Sequence, residues 1–297
     1  MELKIKSLAE YVDVICNLNV DLRKDAAIYE VLLFRGQSDC EYELLPSIAR
    51  NRMHECSVSI LNDERNLIEM AKYKMPSMFH NNMQPIELLA LLQHYGIPTR
   101  LMDITENPLV ALYFACVTNR DKDGEIIIFK DNERDITNYP VVNALAESYK
   151  FLRATYSALY LFYGDVINQP YFIEQLQAMG ILHETNEEGA NWIEGCCKDV
   201  LFVHTNQNSI RQKVQRGRYI LFPNDIGDDD GVKCFKKIIS PLSKNHESVI
   251  GRLIVDAAAK EQLLKDLKCF GIDKEMLFCD SVDTVCCSIK ETFASKY

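Results

Sequence analysis

Asn107-Pro108 opens a helix: a capping side chain, then proline at the first helical position, where no N–H is needed. The residues that follow, Leu109-Val110-Ala111-Leu112-Tyr113-Phe114-Ala115-Cys116-Val117-Thr118, are apolar all round. Such a helix has no face to give to water and must be buried. The chain therefore has to wrap other elements around it. Its 297 residues suffice, because a chain of this size hides about 75% of its unfolded surface. With 47% hydrophobic and 26% charged residues the composition is that of an ordinary globular protein, and the length fits two domains or one large one.

The surrounding pattern mixes helices and strands without a regular βαβ alternation, which favours an α+β fold with a mixed central sheet and buried helices. The spacing of Leu8, Val12, Ile15 and Leu18 after the Ser7–Glu10 capping box predicts a helix over 7–18. Val31–Phe34 reads as a buried strand stopped by Gly36, 62–74 as a helix ended by Pro76, and 85–96 as a helix between Pro85 and Gly96. Further strands are expected at 125–130, 201–203, 219–222 and 248–255. A long tyrosine-rich helix is expected over 144–163, an irregular stretch at 180–198, an acidic turn at 223–231, and helices at 257–269 and 281–294.

Several function classes are excluded by what is missing. There is no run of 18 apolar residues and no signal-peptide core, so a cytoplasmic location without a membrane span is expected. The nucleotide-binding, zincin and hydrolase motifs with fixed glycine, histidine or serine spacing are absent. None of the eleven cysteines are spaced C-x-x-C, and their number is odd; reduced, mostly buried thiols are expected, and no metal. Lys plus Arg number 33 against 43 Asp plus Glu, a formal charge of −10, which argues against a nonspecific nucleic-acid coat.

Three places could carry chemistry. In Phe34-Arg35-Gly36-Gln37, an arginine after an apolar strand is costly to bury unpaired. Arg35 either offers its fork of donors to an anionic ligand or pairs with a structural aspartate, and Gly36 lets backbone approach closely. In Gln93–Pro108, nine of sixteen residues are polar or ionisable between two apolar helices. His94, Tyr95, Thr99, Arg100, Asp103, Thr105 and Asn107 are either a pocket wall or a self-satisfied network. The run Asn208–Tyr219 places four basic residues within 211–218, with Gln215 close to Gly217. It is either an anion site that includes Arg211 or a solvated strand face.

Taken together these residues resemble the FRG domain family, named for its Phe/Tyr-Arg-Gly motif. The resemblance starts at Phe34-Arg35-Gly36-Gln37-Ser38-Asp39 and runs through Tyr42, Leu44, Pro46-Ser47-Ile48 and Arg50. It resumes at Leu92–Asp103 and continues through Thr105 and Asn107–Ala115. Later blocks are Arg211, Gln215, Gly217 and Tyr219, then Gly271-Ile272 and Leu277-Phe278. Ile104 replaces the family's usual tryptophan, and Cys279-Asp280 its usual Pro-Asp. On this resemblance, 25–285 is one FRG domain with a variable, mostly helical insertion at 135–198. A helical lead at 1–24 precedes it and a helix end at 286–297 follows.

The order of the motifs is also similar to that of ADP-ribosyltransferases. That similarity implies an ADP-ribosyltransferase-like core, NAD as the bound nucleotide and a macromolecular acceptor. Arg35, Asp103, Thr105 and Gln215 would be the catalytic group. Gly36, Gln37, His94, Tyr95, Thr99, Arg100, Asn107, Arg211 and Gly217 would hold the nucleotide. The alternative is a non-catalytic module that binds a nucleotide or nucleic-acid end. In either class the resemblance implies a setting in bacterial defence, antiviral or toxin-based.

Overall fold

The computed structural model describes residues 3–25, 31–50, 59–131, 139–152, 156–206 and 209–279. Its first half runs β1 (Leu3–Ile5), α1 (Leu8–Asp25), β2 (Val31–Gln37), α2 (Ser47–Arg50), α3 (Glu64–Lys74), α4 (Pro85–His94), β3 (Leu101–Thr105), α5 (Pro108–Cys116) and β4 (Gly124–Asp131). Then come α6 (Pro140–Ala146), β5 (Tyr156–Ala158), α7 (Leu159–Val166), α8 (Pro170–Ala178), α9 (Asn186–Cys196) and β6 (Leu201–Val203). The rest is α10 (Ile210–Gln215), β7 (Gly217–Leu221), β8 (Ile226–Asp229), β9 (Val232–Lys236), β10 (Val249–Val255), α11 (Lys260–Cys269) and α12 (Lys274–Leu277).

Seven strands form a mixed sheet in the order β1-β10-β4-β2-β3-β7-β6. Only β1 and β10 are parallel; the other neighbours are antiparallel. The fold is therefore mixed α and β, as the irregular pattern predicts. β4 shows why the sheet is central. Its Ile126, Ile127, Ile128 and Phe129 are all fully buried, because successive side chains point to opposite faces and both faces are covered. Ile126 and Ile128 join Phe34, α5, α1 and α11 in one core; Ile127 and Phe129 join Leu33, Met102, Ile104 and Ile220 in another. A third core gathers α4 and α6–α9 beside the β3 and β7 end of the sheet.

The apolar helix α5 lies in the first of these cores, against β2 and β4. Two glycines allow it to sit there. A Cβ on Gly36 would stand 1.8 Å from the Ala111 carbonyl oxygen, and one on Gly124 would stand 2.4 Å from that of Ala115. The glycine of the Phe-Arg-Gly motif thus admits helix backbone, whereas the sequence suggested the approach of a ligand.

Several local expectations give way to different structure. The helix expected over 7–18 extends to Asp25, and β2 passes through Gly36 to Gln37. The stretch 144–163 is no single helix. α6 stops at Ala146, and Tyr156–Ala158 instead pairs with Lys236–Cys234 of β9. Residues 186–196 are helical, not irregular. The Thr185 hydroxyl accepts from Glu188 N at 3.2 Å, the Glu188 carboxylate accepts from Glu184 N, and Gly189 leaves room for the Tyr163 ring. In the acidic stretch 223–231, Ile226–Asp229 is the strand β8, and the turn is confined to Asp230 (φ 50°) and Gly231 (φ 83°), which lead into β9 and are residue types suited to left-handed backbone. The basic run is not a strand face. Ser209 and Gln212 form a reciprocal capping box, and the chain is helical to Gln215 before β7. The helix expected at 281–294 falls outside the described residues. Among those described, eight cysteines are present and all are free thiols.

Candidate functional site: a cleft where the sheet divides

β2 pairs with β4 over seven residues but with β3 through one pair only, Phe34 and Thr105. Beyond that pair the two strands diverge, and a cleft of about 910 Å³ opens beside Arg35, Gly36, Gln37, Asp103, Ile104 and Thr105. Arg35 Nη1 reaches across the gap and donates to the Asp103 carbonyl at 2.6 Å, while its Nε donates to Gln37 Oε1 at 3.3 Å. Gln37 is held in turn, donating to the Tyr42 carbonyl at 3.1 Å. Arg35 is thus a fixed fork with N–H groups to spare. Burial and, to a lesser extent, nearby Arg50 lower its pKa to about 10 against the opposing pull of Asp103, so it remains a cation at neutral pH.

The far wall comes from the other end of the chain. α10 supplies Arg211, Gln212 and Gln215, β7 supplies Gly217 and Tyr219, and the α12 region supplies Lys274 and Phe278. Gln215 Nε2 donates to the Leu277 carbonyl at 2.9 Å, tying α10 to α12. Gln212 spans its cap and the Tyr219 hydroxyl, donating to it at 2.8 Å. Burial raises the Tyr219 pKa, with Asp103 adding to the rise, so the phenol stays protonated.

Four basic residues line the cleft (Arg35, Arg50, Arg211, Lys274) against two acidic ones (Glu43, Asp103), in a chain whose formal charge is −10. The cleft is a positive site on an acidic protein, and focuses an anion. Among the described residues the Asp103 carboxylate and the Arg211 guanidinium make no hydrogen bond, so both remain available. Six aromatic side chains share the lining: Phe34, Tyr42, Tyr113, Phe114, Tyr219 and Phe278.

Of the residues singled out by sequence, Arg35, Gly36, Gln37, Asp103, Thr105, Arg211, Gln215 and Gly217 meet in this one cleft. Thr105 does so with its hydroxyl engaged: it donates to the Gln215 carbonyl at 2.6 Å and accepts from Asn107 N at 2.9 Å. The other five lie outside the lining. Asn107 caps α5, accepting from Leu109 N at 3.0 Å. Thr99 donates to Gln93 Oε1 and its backbone N–H donates to Ser47 Oγ. Arg100 is fully buried and bidentate to Glu64, at 2.9 and 2.5 Å, with a further bond to Asn224 Oδ1 at 2.9 Å. His94 ends α4, and the exposed Tyr95 packs edge-on against it and Phe79. The connector 93–108 is therefore three things: a self-satisfied network up to Arg100, a cleft wall at 103–105, and the cap of α5 at Asn107.

Sequence reasoning did not pick out Tyr42, Arg50, Phe114, Lys274 or Phe278 for the site. Arg50 and Phe278 lie inside family-like blocks, which was a signal; Lys274 carried none. Among the described residues there is no cluster of three His, Cys, Asp or Glu side chains able to hold a metal ion, and no helix long and apolar enough to cross a membrane.

The family model for the FRG domain matches residues 30–124. That range runs from the start of β2 to the start of β4 and includes Arg35, Arg50 and Asp103, but not the wall built by 211–219 and 274–278. No curated protein and no solved structure matches the chain.

Proposed function

The chain carries an FRG domain at residues 30–124, and from that premise we propose that its cleft binds a nucleotide, with NAD as the substrate and glycosyl transfer in the manner of ADP-ribosyltransferases as the reaction. One observation carries this reading. Arg35, Asp103 and Gln215, far apart in sequence, line a single cationic, aromatic-walled cleft. A volume of about 910 Å³ suits a ligand of dinucleotide size. Free guanidinium N–H groups on Arg35 suit phosphate oxygens, and flat rings on the walls suit a heterocycle.

The residue roles follow from what each group has free. Arg35, pinned by Asp103 O and Gln37, holds phosphate with its remaining donors. Cleavage of a nicotinamide–ribose bond develops positive charge on the sugar, and the Asp103 carboxylate, which makes no hydrogen bond among the described residues, would stabilise it or orient a hydroxyl. Gln215 is an amide and cannot act as a base; held by Leu277, it orients α10 and its neighbours. Gly36 acts through α5 and not through the ligand. A cytoplasmic location and a defence setting belong to the same proposal.

Incubating the protein with NAD and cell extract should release nicotinamide, label a macromolecule and raise the melting temperature. The absence of turnover together with no thermal shift would remove NAD as the substrate. A second reading is favoured by the engagement of Thr105 and Gln215 in structural hydrogen bonds: nucleotide binding without bond cleavage. Its signature is a thermal shift with NAD and no nicotinamide release.

A further inference from the structure

The part of the cleft that lies outside the FRG match has a composition of its own. Arg211 stacks on the Phe278 ring, its guanidinium carbon 4.5 Å from the centroid. Phe278 meets Phe114 edge to face at 6.3 Å, and Phe114 meets Tyr113 in the same way at 5.6 Å. All four side chains line the cleft. Phe278 follows directly on α12, which is secured to the body by Gln215 and by burial of Leu277. The Phe278 ring is partly exposed at the cleft wall, with the Arg211 cation over it and the Phe114 ring at an edge-to-face angle. It is suited to stack a flat heteroaromatic ring, whereas Arg35 and Arg50, at the β2 side, are suited to phosphate.

We infer that Phe278, oriented by Arg211 and Phe114, is the residue that stacks on the heterocyclic ring of the nucleotide, and that the segment 273–278 is therefore a ring-binding element contributed from outside the FRG-matched region. This rests on the nucleotide reading of the cleft. It divides the ligand between two parts of the chain: phosphate to residues of the 30–124 block, ring to the α10–α12 wall. Stacking is sequence-tolerant in chemistry, since every base has a π-face. Loss of the π-face should matter and loss of the phenyl identity should not.

The test is calorimetric titration of NAD into the full chain and three variants. Phe278→Leu keeps apolar volume against Phe114 and removes the π-face; it should weaken NAD roughly ten- to a hundred-fold. Phe278→Tyr keeps the ring and should stay within about threefold of the unmodified chain. Arg35→Ala should weaken NAD and flatten the dependence of affinity on salt, while Phe278→Leu leaves the salt dependence unchanged. Equal affinity of Phe278→Leu and the unmodified chain, or equal weakening by Leu and Tyr, would overturn the ring assignment while leaving nucleotide binding intact. No NAD binding by the unmodified chain would overturn the nucleotide reading itself, and this inference with it.

Discussion

Arg35 and Arg100 both stand beside apolar strand sequence, and cost alone marks both as arginines that need an anion. Their surroundings separate them. Arg100 enters β3 fully buried, where Glu64 of α3 meets it with both oxygens and Asn224 takes a third donor. Its fork is used up inside the protein. Arg35 sits in β2 where the sheet divides, bonded to one carbonyl and one amide oxygen, with no carboxylate hydrogen-bonded to it among the described residues. Two arginines with the same local pattern thus have opposite roles, and the difference lies in whether a distant residue brings a carboxylate.

The sharpest way to break this contrast is to remove that carboxylate. Glu64→Ala leaves a cation buried without a counter-charge and should cost about 3–5 kcal/mol in chemical denaturation. Replacing the pair together, Glu64→Leu with Arg100→Met, should recover most of that loss, because the charge that needed a partner is gone. If the double variant is as unstable as Glu64→Ala, the pair contributes more than charge compensation and the contrast with Arg35 weakens.

Gly36→Ala comes next. The added carbon would lie 1.8 Å from the Ala111 carbonyl oxygen and 2.9 Å from Ala115 N, both backbone atoms of α5 that cannot rotate away. A loss of about 3 kcal/mol is expected, at the upper end of overpacking costs, with α5 pushed from the sheet. A stable Gly36→Ala with weakened nucleotide binding would instead return the glycine to the ligand, as the sequence suggested.

The legibility of this protein follows the range of its contacts. α5 was readable because Asn107, Pro108 and an unbroken apolar run are local signals, and β4 because its four apolar residues adjoin Gly124. The strand at Tyr156–Ala158 was not, because its partner is β9, roughly eighty residues further on, and aromatic residues suit a helix face as well as a sheet. The Thr185 cap of α9 is a local signal and was legible in principle, whereas Gly189 in the helix serves a distant contact, leaving room for the Tyr163 ring. In the cleft, the Arg35 and Asp103 side was carried by motif residues next to one another on neighbouring strands. The Phe278 side depends on α12 docking against α10, and no local pattern announces that contact.

Arg35→Ala tests the other half of the contrast. Its hydrogen bonds are to neutral oxygens at the edge of an open cleft, so the fold should survive with a loss within about 1 kcal/mol. NAD affinity should fall by about 10- to 100-fold, the worth of one charge-assisted contact. Cooperative unfolding measured beside NAD titration separates the two effects. A variant that fails to fold would make Arg35 structural, like Arg100.

The smallest effect is expected at an ion pair of another kind, with a buried carboxylate but a solvent-exposed cation, where Glu64–Arg100 is buried on both sides. Lys122 donates to Asp39 Oδ2 at 2.5 Å beside the cleft-lining Ser38, with the lysine side chain 56% exposed. That bond, helped by the Glu41 N–H, holds the Asp39 carboxyl below its ordinary pKa. A carboxyl lowered in the folded state adds stability above its unfolded pKa, near 3.9, and loses it as pH falls through the lower folded value. Asp39→Asn keeps an acceptor for Glu41 N and removes only the charge. The melting temperature of the unmodified chain should therefore exceed that of Asp39→Asn slightly at pH 7, converge with it as pH falls below the ordinary carboxylate range, and converge again in about 1 M salt. A gap that persists at low pH and high salt would mean that Asp39 acts through packing; the pair would then resemble Glu64–Arg100 more closely than its exposed lysine implies.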